Sequence, residues 1–180
     1  VKPTHGLRNI SEIRTFFRTN EDPIYFFGPT AFNLLGLDRW VRSFTYVSYY
    51  DPWDGMHPRV MSPVRKGTET FTSAEEVTNW LLRNDEIRAR IAARPGTPRV
   101  MAVFFDEETE AICRDLGYRL TLPPYALRSR LDSKLETTRL GNEAGAPSVP
   151  NILGTPTDYA TLVSMAEAAG LGTDLVIQLP

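Results

Sequence analysis

Within LDSKLETTRLGNEAGAPSVP, residues 131–150, Lys134 stands at the first position of a helix that its neighbours predict. Ser133 followed by Glu136 has capping-box spacing, and Gly145, ahead of Pro147 and Pro150, is a natural left-handed stop. A helix N-terminus carries partial positive charge, so a lysine there costs roughly a few tenths of a kcal/mol. An anion such as a phosphate, bound to the free N–H groups of that turn, would offset the cost. The alternative is a solvated lysine balanced by Asp132 and Glu136. Local sequence leaves both readings open.

A second candidate is Gly28-Pro29-Thr30, which follows the apolar run PIYFF. Open α/β sheets place ligands in the crevice beyond strand C-termini. The loop lacks the G-x-G-x-x-G fingerprint, and the chain contains no Walker-type G-x-x-x-x-G-K-[ST]. The usual phosphate loops are absent. His5 and His57 lie far apart without an i,i+4 partner, so they are expected to be surface or structural histidines, and no metal site is expected. Cys113 sits beside Ile112 and Leu116 on a helical pattern, which predicts a packing role. Asp51 and Asp54 flank Trp53 in DPWDG, where a turn competes with a cation or amine site.

Composition narrows the classes. The 180 residues are 42% hydrophobic and 23% charged, with a net charge of −2. That balance suits one ordinary domain, or one domain plus part of another, and argues against a nucleic-acid partner. No apolar run approaches the length of a membrane span, and no membrane partner is expected. A single cysteine excludes an internal disulfide framework and fits a reducing, cytoplasmic setting.

Those candidates need elements to hold them. Helical spacing covers residues 7–20, with Ile10, Ile13, Phe16 and Phe17 on one face. Strands are predicted near 24–28, 43–50 and 99–105, with a short one at 118–121. A short helix is expected over 30–37, with Thr30 as cap and Gly36 near its end. SAEEVTNWLLRNDEIRARIAA reads as one long helix opened by Thr72 or Ser73, with Ser73 and Glu76 at capping-box spacing, and residues 106–117 as another stopped by Gly117. TLPPYALR reads as a linker, followed by the Lys134 helix, a helix over 159–169 and a last strand in DLVIQL. Alternating strands and helices predict an α/β fold, a mostly parallel sheet flanked by helices over residues 1–125. Residues 126–180 look incomplete, because a piece of about fifty residues buries too little surface.

SKLETTRLGNEAGAPSVP resembles the opening of an ATP-grasp domain, and the unit before it is similar to the Rossmann-like pre-ATP-grasp domain. The nearest likeness is to biotin-carboxylase-like proteins and carboxylate–amine ligases. The likeness covers the whole chain in element order, but its specific residues are confined to about Ser133–Pro150. It implies ATP and Mg²⁺ as cofactors, with Lys134 contacting ATP phosphates and Gly28, Pro29 and Thr30 facing the substrate side. Where such proteins carry a second phosphate-binding lysine, this chain has Gln178 or Leu179, which supply no charge. The glycine-rich loop and the Mg²⁺ carboxylates would lie beyond Pro180. The resemblance therefore implies the N-terminal portion of a ligase, inactive alone, that activates a carboxylate or bicarbonate as an acyl phosphate for attack by a nucleophile. Its partners would be a nucleotide and a small carboxylate, and a homodimer is compatible with this reading. The rival is a non-catalytic α/β module that binds a ligand or partner.

Overall fold

The structure is a computed structural model that describes residues 6–32, 36–64, 67–172 and 174–178. The chain divides into two compact units, Val1–Tyr125 and Ala126–Pro180.

The first unit is built on an all-parallel sheet of β1 (Ile24–Gly28), β2 (Phe44–Ser48), β3 (Val60–Met61), β4 (Arg99–Ala102) and β5 (Arg119–Leu120). Their order is β3-β2-β1-β4-β5, so β1 is central and the strand order reverses beside it. Parallel strands need crossovers, and helices on both faces follow. Tyr25, Phe27, Val47 and Val100 point to one face. There they pack against α2 (Ala74–Arg83), α3 (Asp85–Ala92) and α4 (Glu107–Asp115) through Leu81, Leu82, Ile87, Ile91, Ile112 and Cys113. Ile24, Phe26, Phe44 and Tyr46 point the other way, under Val41, Ala31 and Phe17 of α1 (Ile10–Thr19).

Several elements differ from expectation for local reasons. The 73–93 helix is two helices, because Asn84 leaves the helical region (ψ 121°) and its side chain accepts the Ile87 N–H to cap α3. The 43–50 and 99–105 strands shorten to 44–48 and 99–102, and the 118–121 strand to Arg119–Leu120. β3, only two residues long, lacks the alternation that marks a strand and was not expected from the sequence. The 30–37 helix falls partly on residues 33–35, outside the described residues. Gly36, at φ 93°, opens a 3-10 turn, Leu37–Arg39.

The second unit contains most of α5 (Tyr125–Asp132), with α6 (Lys134–Glu143) and α7 (Tyr159–Ala168). The expected linker TLPPYALR is thus half helical, because its residues from Tyr125 on lie beyond the Pro123-Pro124 block. No strand forms over 174–178, where the side chains are exposed and no neighbouring strand pairs with them. Among the described residues of this unit, only Ala166 is fully buried.

One polar knot fixes α2 against α4. The buried Asn79 amide donates to Asp106 at 3.1 Å and to Glu108 at 3.1 Å, while its Oδ1 accepts the Thr109 hydroxyl at 2.6 Å. Asp106 also caps α4 by accepting the Thr109 N–H at 2.8 Å. Burial pushes the Asp106 pKa up, yet the hydrogen bonds from Thr109 and Asn79 outweigh it and hold the carboxyl below its usual range. A depressed folded pKa gives stability that is present above the unfolded value and lost as pH falls through the folded one. Asn79→Ala should therefore destabilise the chain by about 1–3 kcal/mol in urea melts at pH 7. Asp106→Asn should flatten the loss of stability between neutral pH and about pH 3. An Asn79→Ala chain as stable as wild type would contradict this assignment.

Candidate functional site

The strand order reverses between β1 and β4, and the C-terminal ends of strands at such a switch are where open α/β sheets hold ligands. Gly28-Pro29-Thr30 stands there. Gly28 pairs with Ser48 at the end of β2, and the Pro29 carbonyl accepts the Tyr50 N–H at 2.9 Å. Proline has no N–H, so the loop leaves the ladder at Pro29. Thr30 Oγ1 accepts the Phe32 N–H at 3.4 Å, a local turn that sends the chain away from the sheet. A Cβ on Gly28 would meet the Phe26 ring and the Thr30 carbonyl at 3.5 Å, ordinary contact, so packing does not demand glycine there.

Apolar and hydroxyl groups follow this loop in sequence or stand at the neighbouring strand ends by register. Phe32 is 55% exposed and its ring lies 5.6 Å from that of Trp53. Val103, just past β4, is 42% exposed. Ser48 Oγ and Ser62 Oγ approach to 3.4 Å. Beside Trp53, the His57 ring lies 5.0 Å away at a tilt of 45°, and its Nδ1 accepts the Arg59 N–H at 3.2 Å, which leaves Nε2 as the protonated nitrogen. Nε2 lies 3.9 Å from Asp38, which accepts the Tyr46 hydroxyl at 3.0 Å. This network ties the 51–59 loop to the sheet, in keeping with a structural histidine; His5 lies outside the described residues.

The turn reading of Asp51 holds, since its carboxylate accepts the Trp53 N–H at 2.9 Å and the Gly55 N–H at 2.8 Å. Both oxygens are thereby engaged with backbone. Among the described residues, no group of three or more His, Cys, Asp or Glu side chains could hold a metal ion. No described helix is long and apolar enough to cross a membrane.

Lys134 opens α6 at an exposed position. Ser133 Oγ accepts the Glu136 N–H at 3.3 Å, but the reciprocal half of the capping box does not form. Instead the Glu136 carboxylate accepts Arg130 Nε at 2.7 Å and Arg139 Nη2 at 2.9 Å. Those hydrogen bonds push its pKa down to about 2, Arg139 contributing most. Asp132 pairs with Arg128 at 3.1 Å. Both carboxylates expected to balance Lys134 are therefore held by arginines, and no ion pair involves Lys134 among the described residues. Gly145, at φ 65°, follows the helix in the left-handed region.

Gln178 sits exposed in a segment without secondary structure, not beside a strand end as expected. Lys134 and Gln178 belong to the second unit and Gly28, Pro29 and Thr30 to the first. The exposed aromatic Phe32 was missed in the sequence, where it sits in a run that predicts only a helix.

Comparison of the chain with protein-family models, with curated proteins and with solved structures returns no match.

Cys113 is buried, and burial, with Glu110 nearby, pushes its thiol up to about 11. A thiol so placed holds almost no thiolate at neutral pH. In the native chain Cys113 should resist a soluble disulfide reagent at pH 8 and react promptly once urea unfolds it. Fast labelling without denaturant would refute the packing role.

Proposed function

We propose that these residues supply the N-terminal part of an ATP-dependent ligase of the ATP-grasp type, with Lys134 contacting nucleotide phosphate. The observation that carries the reading is the unpaired Lys134 at the start of α6, whose neighbouring carboxylates are engaged by Arg128, Arg130 and Arg139. A cation without a local counter-charge, beside the Lys134 and Leu135 amides of a helix's first turn, fits a phosphate. Support also comes from the all-parallel sheet, which is compatible with a Rossmann-like pre-ATP-grasp domain. The second unit exposes Leu127, Leu131, Leu135, Val149 and Ile152, apolar surface that calls for further covering.

ATP, when bound, would supply the phosphoryl group that turns a carboxylate into an acyl phosphate. This chain's contribution would be positioning and neutralisation of charge by Lys134, with the Gly28–Thr30 loop on the acceptor side. The described residues are not grouped to hold Mg²⁺, so no step through the metal is assigned to them. Gln178 is a weak candidate for phosphate, since it brings no charge.

The second reading is a module that binds a small ligand without catalysis, favoured by the exposed Phe32 and Val103 beside the Gly28 loop.

The test separates a phosphate contact from a solvated lysine. Without nucleotide, Lys134→Ala should be neutral or stabilising by roughly a few tenths of a kcal/mol, because repulsion with the helix dipole is relieved. In a polypeptide carrying the complete nucleotide site, the same change should weaken ATP binding by about 1–3 kcal/mol, measured by titration calorimetry. Equal ATP affinities for the two proteins would remove Lys134 from the site.

A further inference from the structure

At the opposite end of the sheet from the Gly28 loop, on the face covered by α2, α3 and α4, a buried phenol has no hydrogen-bond partner. Tyr25, in the central strand, has no solvent exposure, and its Oη makes no hydrogen bond of good geometry among the described residues, the Arg94 guanidinium being the polar group that leans on it. A buried hydroxyl left in this state costs free energy that native proteins usually avoid. The nearest charged group is Arg94, one residue past the C-cap of α3, whose guanidinium carbon lies 5.9 Å from the Tyr25 ring centre. Arg94 Nη1 donates to Thr45 Oγ1 at 2.8 Å, and Thr45 is itself buried. No ion pair involves Arg94 among the described residues.

The chemistry identifies what is missing. A guanidinium has donors only, so Arg94 can never accept the phenol proton. Burial raises the Tyr25 pKa while Arg94 opposes that shift, so the hydroxyl is a neutral donor close to the cation. An unused O–H donor beside a guanidinium without a counter-charge calls for one group: an acceptor carrying negative charge. Tyr118 stands near Tyr25 on the same face, and Arg88 stands near Tyr118. Arg88 is already engaged by Asp85 at 3.3 Å. Arg94 is an exposed side chain that bonds one buried hydroxyl and overlies a second buried ring. Rotation of that side chain is the motion that would open access to Tyr25.

We propose that Arg94 and Tyr25 form a binding site for a small oxyanion, a phosphate or a carboxylate, gripped by the guanidinium and the Tyr25 hydroxyl. The site is independent of the nucleotide reading, since it uses no residue of the Lys134 helix or the Gly28 loop. Arginine's planar fork suits either oxyanion through two parallel N–H bonds, and the phenol adds a third donor.

The experiment uses the 180-residue chain as it is. Amide spectra are recorded while inorganic phosphate, acetate and, as a control for ionic strength, chloride are added. Wild type should show saturable shifts at Tyr25, Thr45 and Arg94 with phosphate or acetate, and none that saturates with chloride. The stronger of the two identifies the source as phosphate or carboxylate. Tyr25→Phe keeps the ring in the core, and Arg94→Gln changes an exposed position, so both should fold. Each should weaken the anion about tenfold or more, the scale of one lost charge-assisted hydrogen bond. Shifts that are absent, that follow chloride equally, or that persist in both variants would overturn the proposal.

Discussion

Burial of β1 on both faces is the constraint on which the first unit depends. All five of its residues are buried, with Tyr25 and Phe27 in one core and Ile24 and Phe26 in the other. A strand in that position must be flanked by partners on both edges and by covering segments on both faces. β2 and β4 provide the edges, each in parallel register. Because chain order runs outward from β1 in two directions, the switch point at its C-terminal end is a consequence of the topology. The same burial isolates the Tyr25 hydroxyl at the other end of the strand.

Arginine–carboxylate pairing organises the surfaces of both units. Arg83 holds Glu108 at 2.6 Å, where Asn79 also bonds it, so one exposed pair braces a buried polar knot. In the second unit Arg139 bridges Glu136 and Glu143 along α6. Exposed pairs of this kind contribute little stability individually. Their larger effect here is selective: by engaging Asp132 and Glu136 they leave the cation at the head of α6 without a local counter-charge. The two units also differ in kind. The first has two apolar cores, whereas the second has Ala166 as its one buried side chain among the described residues.

Much of this was legible in the sequence, and the failures have physical causes. PIYFF and the nearly uninterrupted RVMAVFF are apolar runs of the kind that strands covered on both faces show, and strands form over Ile24–Gly28 and Arg99–Ala102. Ser73 and Ser133, read as caps, do cap their helices through a side-chain oxygen, as do Asp106 and Asp158, which the sequence did not single out. Asn84 was not legible as a break, because asparagine is tolerated within helices and its cap appears only once ψ is known. DLVIQL carries strand propensity, but a strand needs a neighbour to pair with, and residues 174–178 have none. At the sites, the position of Lys134 could be read from its cap, while the engagement of Asp132 and Glu136 by arginines depends on side-chain geometry. Tyr25 reads as an ordinary core aromatic in sequence, and its unmet hydroxyl is visible only in three dimensions.

For the phosphate proposed at the head of α6, the backbone there offers a direct readout. Ser133 caps the Glu136 N–H and its carbonyl takes the Thr137 N–H, whereas among the described residues no bond of this kind reaches the Lys134 and Leu135 amides. Hydrogen exchange of a polypeptide with the complete nucleotide site should therefore slow at Lys134 and Leu135 when Mg-ATP is added. Exchange at these two amides that is unchanged by saturating Mg-ATP, with protection appearing elsewhere, would contradict the account.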